Sequence, residues 1–228
     1  MKIHPQAKHW VAVVEFIGLP IVVSVLLNVS AGPTAYWQAG VFALVCVACV
    51  LPMLFYFLEH PALFKRRISF GPGAEHETSQ KIIVSFLLLL YTALYVVSGL
   101  DHRFSWSHIP VPVVLVGDLL FGGGLVLIFL VFRANSFAAA TVTVEAEQTV
   151  IATGPYALVR HPMYSALLAM FLGLPLALGS WWGLVTFLPL LVVIIWRLVD
   201  EERYLSNHLV GYRDYCANVT HRLLPSIW

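Results

Sequence analysis

In the stretch "IIWRLVDEERYLSNHLVG", Arg197, Glu201, Tyr204 or Leu205, and His208 recur at i, i+4, i+7/8 and i+11, which places them on one helical face. A second group opens another apolar stretch. "GPYALVRHPMYSALL", residues 154–168, sets Arg160 and His161 ahead of Pro162, a proline at a first helical turn where its missing N–H has no helical partner. Arginine, histidine, tyrosine and carboxylates at the edge of an apolar bundle suit a site that holds a charged molecule beside a greasy one. Each group also has a plainer reading, as an i,i+4 Arg–Glu pair or as a positive flank anchoring a helix end. The two apolar runs behind them, 163–178 and 181–199, are joined only by Gly179-Ser180. So short a joint predicts a tight helical hairpin, which brings both charged ends to one surface.

The elements that must position these groups are those of a membrane protein. Of 228 residues, 60% are hydrophobic and 11% charged, far from a soluble composition. A net charge of +1 gives no reason to expect a nucleic-acid partner. Four further apolar runs approach the roughly 20 residues a span needs: 10–27, 37–58, 82–100 and 111–132. The first contains Glu15 and Pro20 and reads as a retained helix rather than a signal peptide. The fifth run, 163–178, is short for a full crossing. The expected fold is therefore all-α, a polytopic bundle of about six hydrophobic helices. It divides into N-terminal helices, 1–132, for packing and substrate access, and a C-terminal region, 133–228, carrying the site. Polar connectors occupy 59–81, 101–110 and 133–160, and alternation in the last suggests a small β-hairpin around Glu145-Ala146-Glu147. With the N-terminus in the cytoplasm, twelve of the 13 Lys and Arg residues fall on the cytoplasmic side, and only Arg103 lies outside. That predicts a multi-pass protein, for instance of a bacterial inner membrane, with the 133–160 connector and the tail facing the cytosol. Cys46 and Cys49, in an apolar run, read as packing residues, because thiolate chemistry is disfavoured there.

From about Asn135 to Trp228 the chain resembles the integral-membrane isoprenylcysteine carboxyl methyltransferases and their bacterial relatives, with the phospholipid N-methyltransferases nearby. The resemblance is carried by "GPYALVRHPMY", the small-residue hairpin "LGLPLALGSWWG", "RLVDEERYL" and the closing "GYRDYCANVTHRLLPSIW", in that order and spacing. It implies an S-adenosylmethionine-dependent methyltransferase whose cofactor contacts fall on Gln148, Thr149, Val150, Ile151, Tyr156, His161, Pro162, Met163, Tyr164 and Glu201. Arg197 would contact the acceptor, and no metal is implied. Gln148 stands where prenylcysteine-methylating relatives have histidine, and Ala166 where glycine is frequent.

The chemistry of such a ligand suits these side chains. Glu201 can pair with its ammonium, the Tyr156 and Tyr164 rings can face its sulfonium or adenine, and backbone N–H groups at the fifth helix start can take its carboxylate. A carboxylate acceptor needs no base and would sit in the Arg197 fork. An amine or thiol wants a base, for which His161 or Glu202 are candidates. The acceptor is expected to be a lipophilic small molecule, a prenylated group or a membrane lipid. Two other readings compete: an NADPH-dependent reductase of the sterol type, and a non-enzymatic scaffold or transporter whose charges only set orientation. Among the remaining polar residues, Asp118 with Gly122-Gly123-Gly124 predicts a close helix crossing with polar glue. Asn135 predicts an end-cap, Glu59-His60-Pro61 a helix end, and Arg222 a headgroup anchor.

Overall fold

A computed structural model describes residues 22–60, 71–75, 77–138, 141–142, 144 and 148–228. The architecture is all-helical, with no strand among the described residues. In chain order the helices are α1 (described over Val22–Ala31), α2 (Trp37–Glu59), α3 (Thr78–Phe104), α4 (Val111–Ala134), α5 (Pro162–Ala177), α6 (Trp181–His208) and α7 (Tyr212–Asn218). A 3-10 turn at Gly154–Ala157 precedes α5. Helices α2, α3, α4 and α6 are each long and apolar enough to cross a membrane. Helix α5, at 16 residues, is shorter. At 1.5 Å per residue it covers about 24 Å, and the 28-residue α6 about 42 Å.

The sequence-based expectation of a helical bundle holds. Helix α2 ends at Glu59 with His60 as its cap, as Glu59-His60-Pro61 suggested. The expected β-hairpin is not present among the described residues of 141–151, which form no regular element, while its proposed turn at 145–147 lies outside them. A two-stranded ribbon has no sheet to join here and is marginal by itself. Glu15 also lies outside the described residues.

Helices α4 and α5 form the most extensive packing, with α3 against α6 next. Small residues make the first contact possible. A Cβ on Gly117 would lie 2.2 Å from the Ala177 backbone nitrogen, and one on Gly173 would lie 2.7 Å from the Gly117 carbonyl oxygen. Only glycine permits that approach. The predicted triplet contributes less uniformly: Gly124 abuts Met170 and Ala166, Gly122 faces Val45 of α2, and Gly123 meets open space. Nor does Asp118 glue the crossing, since neither of its buried carboxyl oxygens has a hydrogen-bond partner. Cys46 and Cys49 are free thiols, and Cys46 packs against the main core.

The α5–α6 hairpin forms as expected. Gly179 takes φ +72°, a left-handed turn open to glycine, and the Ser180 hydroxyl accepts from Gly183 N–H to start α6. Asp101, at the end of α3, fastens this corner. Its oxygens accept from the Ser180 hydroxyl at 2.5 Å, the Ser107 hydroxyl at 2.6 Å and the Ser107 N–H at 2.8 Å. Tyr36 stacks on His102 and donates to the Leu178 carbonyl at 2.6 Å. This polar knot closes one end of the bundle. The other end is built differently.

Candidate active site

At the opposite end, the start of α5, the emerging part of α6, the 133–160 connector and the tail line an open cavity. Gln148, Thr149, Val150, Ile151, Tyr156, His161, Pro162, Met163, Tyr164 and Glu201 all line it. Residues scattered over 54 positions of sequence thus share one wall system. The cavity also takes in Asn135, Arg160, Leu205, Leu209, Tyr212 and Tyr215.

The acidic triplet on α6 splits three ways because successive helical residues turn about 100° apart. Asp200 accepts from Gln80 Nε2 at 2.6 Å and the Ser79 hydroxyl at 2.9 Å, which pins α6 to α3. Glu202 gathers three nitrogen partners: Arg222 Nε at 2.9 Å, His161 Nε2 at 3.2 Å and Arg160 Nε at 3.3 Å. It is a structural clamp, and both its oxygens are engaged. Glu201 alone of the three lines the cavity, where it accepts a hydrogen bond from the Tyr164 hydroxyl. A carboxylate can accept several more, so Glu201 keeps capacity for a ligand.

Arg197, one turn earlier, lies behind the wall rather than in it. Its guanidinium is 5% exposed as a residue, donating from Nε to the Tyr164 hydroxyl at 3.1 Å and from Nη2 to Glu75 Oε1 at 2.9 Å. Tyr164 therefore joins Arg197 to Glu201, and the three act as a unit. Glu75 was not singled out by the sequence. It sits in a polar connector 122 residues from Arg197, with no local pattern to betray it.

The tail completes the site. Arg160 N–H and His161 N–H donate to the His221 and Arg222 carbonyls, each at 2.9 Å, and the Ser165 hydroxyl donates to the Leu223 carbonyl at 2.5 Å. Those two N–H groups are therefore not open to a ligand. Met163 and Tyr164 N–H, in the first turn of α5, have no intrahelical acceptor and remain the backbone donors of that end. Arg222, expected to anchor in headgroups, instead pairs with Glu202 and lies 4.9 Å from the Trp228 ring centre. Leu209, Tyr212 and Tyr215 form a small apolar cluster with Val144, Val150 and Leu205. Burial raises the Tyr212 and Tyr215 phenols above their usual range, so both stay protonated donors. Tyr215 donates to the Tyr156 carbonyl at 2.7 Å, whereas the buried Tyr212 hydroxyl has no partner. Asn135 caps α4 as expected and also contributes its amide to the Tyr156 hydroxyl at 3.2 Å. His208 stays exposed, stacked on Tyr204, outside the cavity. Among the described residues no group of His, Cys, Asp and Glu is arranged to hold a metal.

Long apolar helices with an open cavity at one end define a polytopic helical membrane bundle. Residues 112–210, from the start of α4 past the end of α6, match the family model described as phospholipid methyltransferase. The match accords with the superfamily of phospholipid N-methyltransferases and isoprenylcysteine methyltransferases that the motifs resemble. It spans every cavity-lining residue except Tyr212 and Tyr215, and it excludes Glu75. No curated protein and no solved structure matches the chain significantly.

Proposed function

We propose that the protein is an integral-membrane methyltransferase that uses S-adenosylmethionine to methylate a lipophilic acceptor at the membrane–cytosol boundary. The observation that carries this reading is the gathering of all ten expected contact residues around one cavity, at the end of a hairpin whose body is apolar. The cavity fits the cofactor's chemistry. Glu201 is an acceptor for an ammonium, Met163 and Tyr164 N–H and the unpartnered Tyr212 hydroxyl are donors for a carboxylate, and Tyr156 offers an aromatic face.

When bound, S-adenosylmethionine supplies a methyl group on a positively charged sulfur. The protein's part is then mainly orientation and exclusion of water. The Arg197–Tyr164–Glu201 chain fixes the carboxylate that takes the ammonium, and the Glu202 clamp holds the α5 start and the tail around the ligand. The N-terminal helices provide the apolar approach for the acceptor.

The direct test is thermal unfolding of the detergent-solubilised protein. S-adenosylhomocysteine raises Tm through preferential binding to the folded state, and NADPH does not. A shift with NADPH alone would transfer the site to a membrane reductase. Radiolabelled methyl transfer into a lipid extract then identifies the acceptor.

A further inference from the structure

Resting on the methyltransferase reading, we propose that Glu75 is a positioning and specificity-determining residue: by occupying the Arg197 guanidinium it denies that guanidinium to an acceptor carboxylate, so the acceptor presents an amine or a thiol. Glu75 is 4% exposed and bonds in two directions. Oε1 takes Arg197 Nη2 at 2.9 Å, and Oε2 accepts the Val142 N–H at 3.2 Å. Val142 lines the cavity, so one carboxylate ties the buried guanidinium to the cavity wall.

An anionic acceptor entering this end must either displace Glu75 or go without Arg197. Displacement strands a carboxylate in a site with almost no solvent, and a stranded buried charge is strongly unfavourable. Entry without Arg197 leaves an acceptor carboxylate near the Glu75 carboxylate with no guanidinium to spare, since Arg160, which lines the cavity, is held by Glu202. A neutral amine or thiol meets neither obstacle. Its nitrogen or sulfur lone pair forms the new bond to the methyl carbon as the carbon–sulfonium bond breaks. The electron pair of that bond stays on the cofactor sulfur, giving S-adenosylhomocysteine, and the acceptor's proton passes to water at the open mouth.

The experiment uses the full-length protein in detergent, loaded with S-adenosylhomocysteine, and two probes with the same apolar tail: S-farnesylcysteamine, an amine, and N-acetyl-S-farnesylcysteine, a carboxylate. Calorimetric titration of the wild type should show the amine binding about tenfold or more tighter, the size of one charge-assisted contact. In Glu75→Gln, which keeps an oxygen for Val142 N–H but frees the Arg197 charge, carboxylate affinity should rise by about the same factor. The Glu75→Gln/Arg197→Gln double variant should lose that gain. A merely structural Glu75 would give no gain for either probe. Equal or tighter carboxylate binding by the wild type overturns the proposal even if the variants fail to fold, as does an unchanged probe ratio in Glu75→Gln. Absence of S-adenosylhomocysteine binding to the wild type would instead overturn the methyltransferase reading itself.

Discussion

Glu201 and Glu202 differ in what their oxygens already hold, and that difference sets opposite expectations for the same substitution. Glu202 is surrounded by Arg160, His161 and Arg222, while Glu201 takes the Tyr164 hydroxyl and faces the cavity. Glu201→Gln removes a charge-assisted contact of about 1.5–3 kcal/mol, so S-adenosylhomocysteine should bind roughly ten- to a hundredfold more weakly by calorimetric titration. Tm in the absence of ligand should change little. Glu202→Gln should do the reverse, lowering ligand-free Tm while affinity stays within about threefold, because it loosens the clamp and not a ligand contact. Equal effects of the two changes on affinity would contradict the division. The helical spacing of Arg197 and Glu201 made their shared face legible in the sequence. The family resemblance singled out Glu201 from Asp200-Glu201-Glu202, but what Asp200 and Glu202 hold was not legible, because it depends on partners from distant segments such as Gln80 and Arg222. Glu75 was illegible for the same reason.

At the scale of elements, the α4–α5 contact and the tail do different work. A side chain at Gly117 meets the backbone of Ala177, which cannot rotate away, so Gly117→Val should cost about 1–3 kcal/mol or more in overpacking and lower Tm accordingly. Gly123→Ala, which meets nothing, is the control and should leave Tm unchanged within error. The tail acts on the site. Residues 221–223 take the Arg160 and His161 N–H groups and the Ser165 hydroxyl, and Arg222 pairs with Glu202. Truncation after Val219 should therefore reduce S-adenosylhomocysteine affinity by at least about tenfold, a drop in the range of losing several hydrogen bonds at once. Hydropathy revealed the helices and the hairpin, since membrane spans are long and uniform. It was silent on the tail, whose fastening uses main-chain carbonyls that no side-chain pattern encodes.

For the whole molecule, the distribution of Lys and Arg predicts that the Asp101 corner faces outward and the cavity faces the cytosol. Cysteines placed at Ser105 and Asn207, both exposed and at opposite ends, should react with an impermeant maleimide from opposite sides of sealed vesicles. Labelling from one side would break the arrangement. The shortness of α5 has a further result. Helix α5 ends and α6 starts at the Ser180 corner, and Arg197 lies 16 residues along α6, about 24 Å from that corner. The hydrocarbon of a typical bilayer is about 30 Å thick, so with the corner flush with the outer boundary Arg197, just behind the cavity wall, sits roughly 6 Å below the inner one. On that placement the cavity becomes a shallow well in the membrane, and hydrophobic mismatch would fix the depth of that well. Lipid composition thus becomes a control on access: in phosphatidylcholine bilayers of increasing acyl length the well deepens, and initial rates of methyl transfer should fall steadily while S-adenosylhomocysteine affinity in detergent provides the fixed reference.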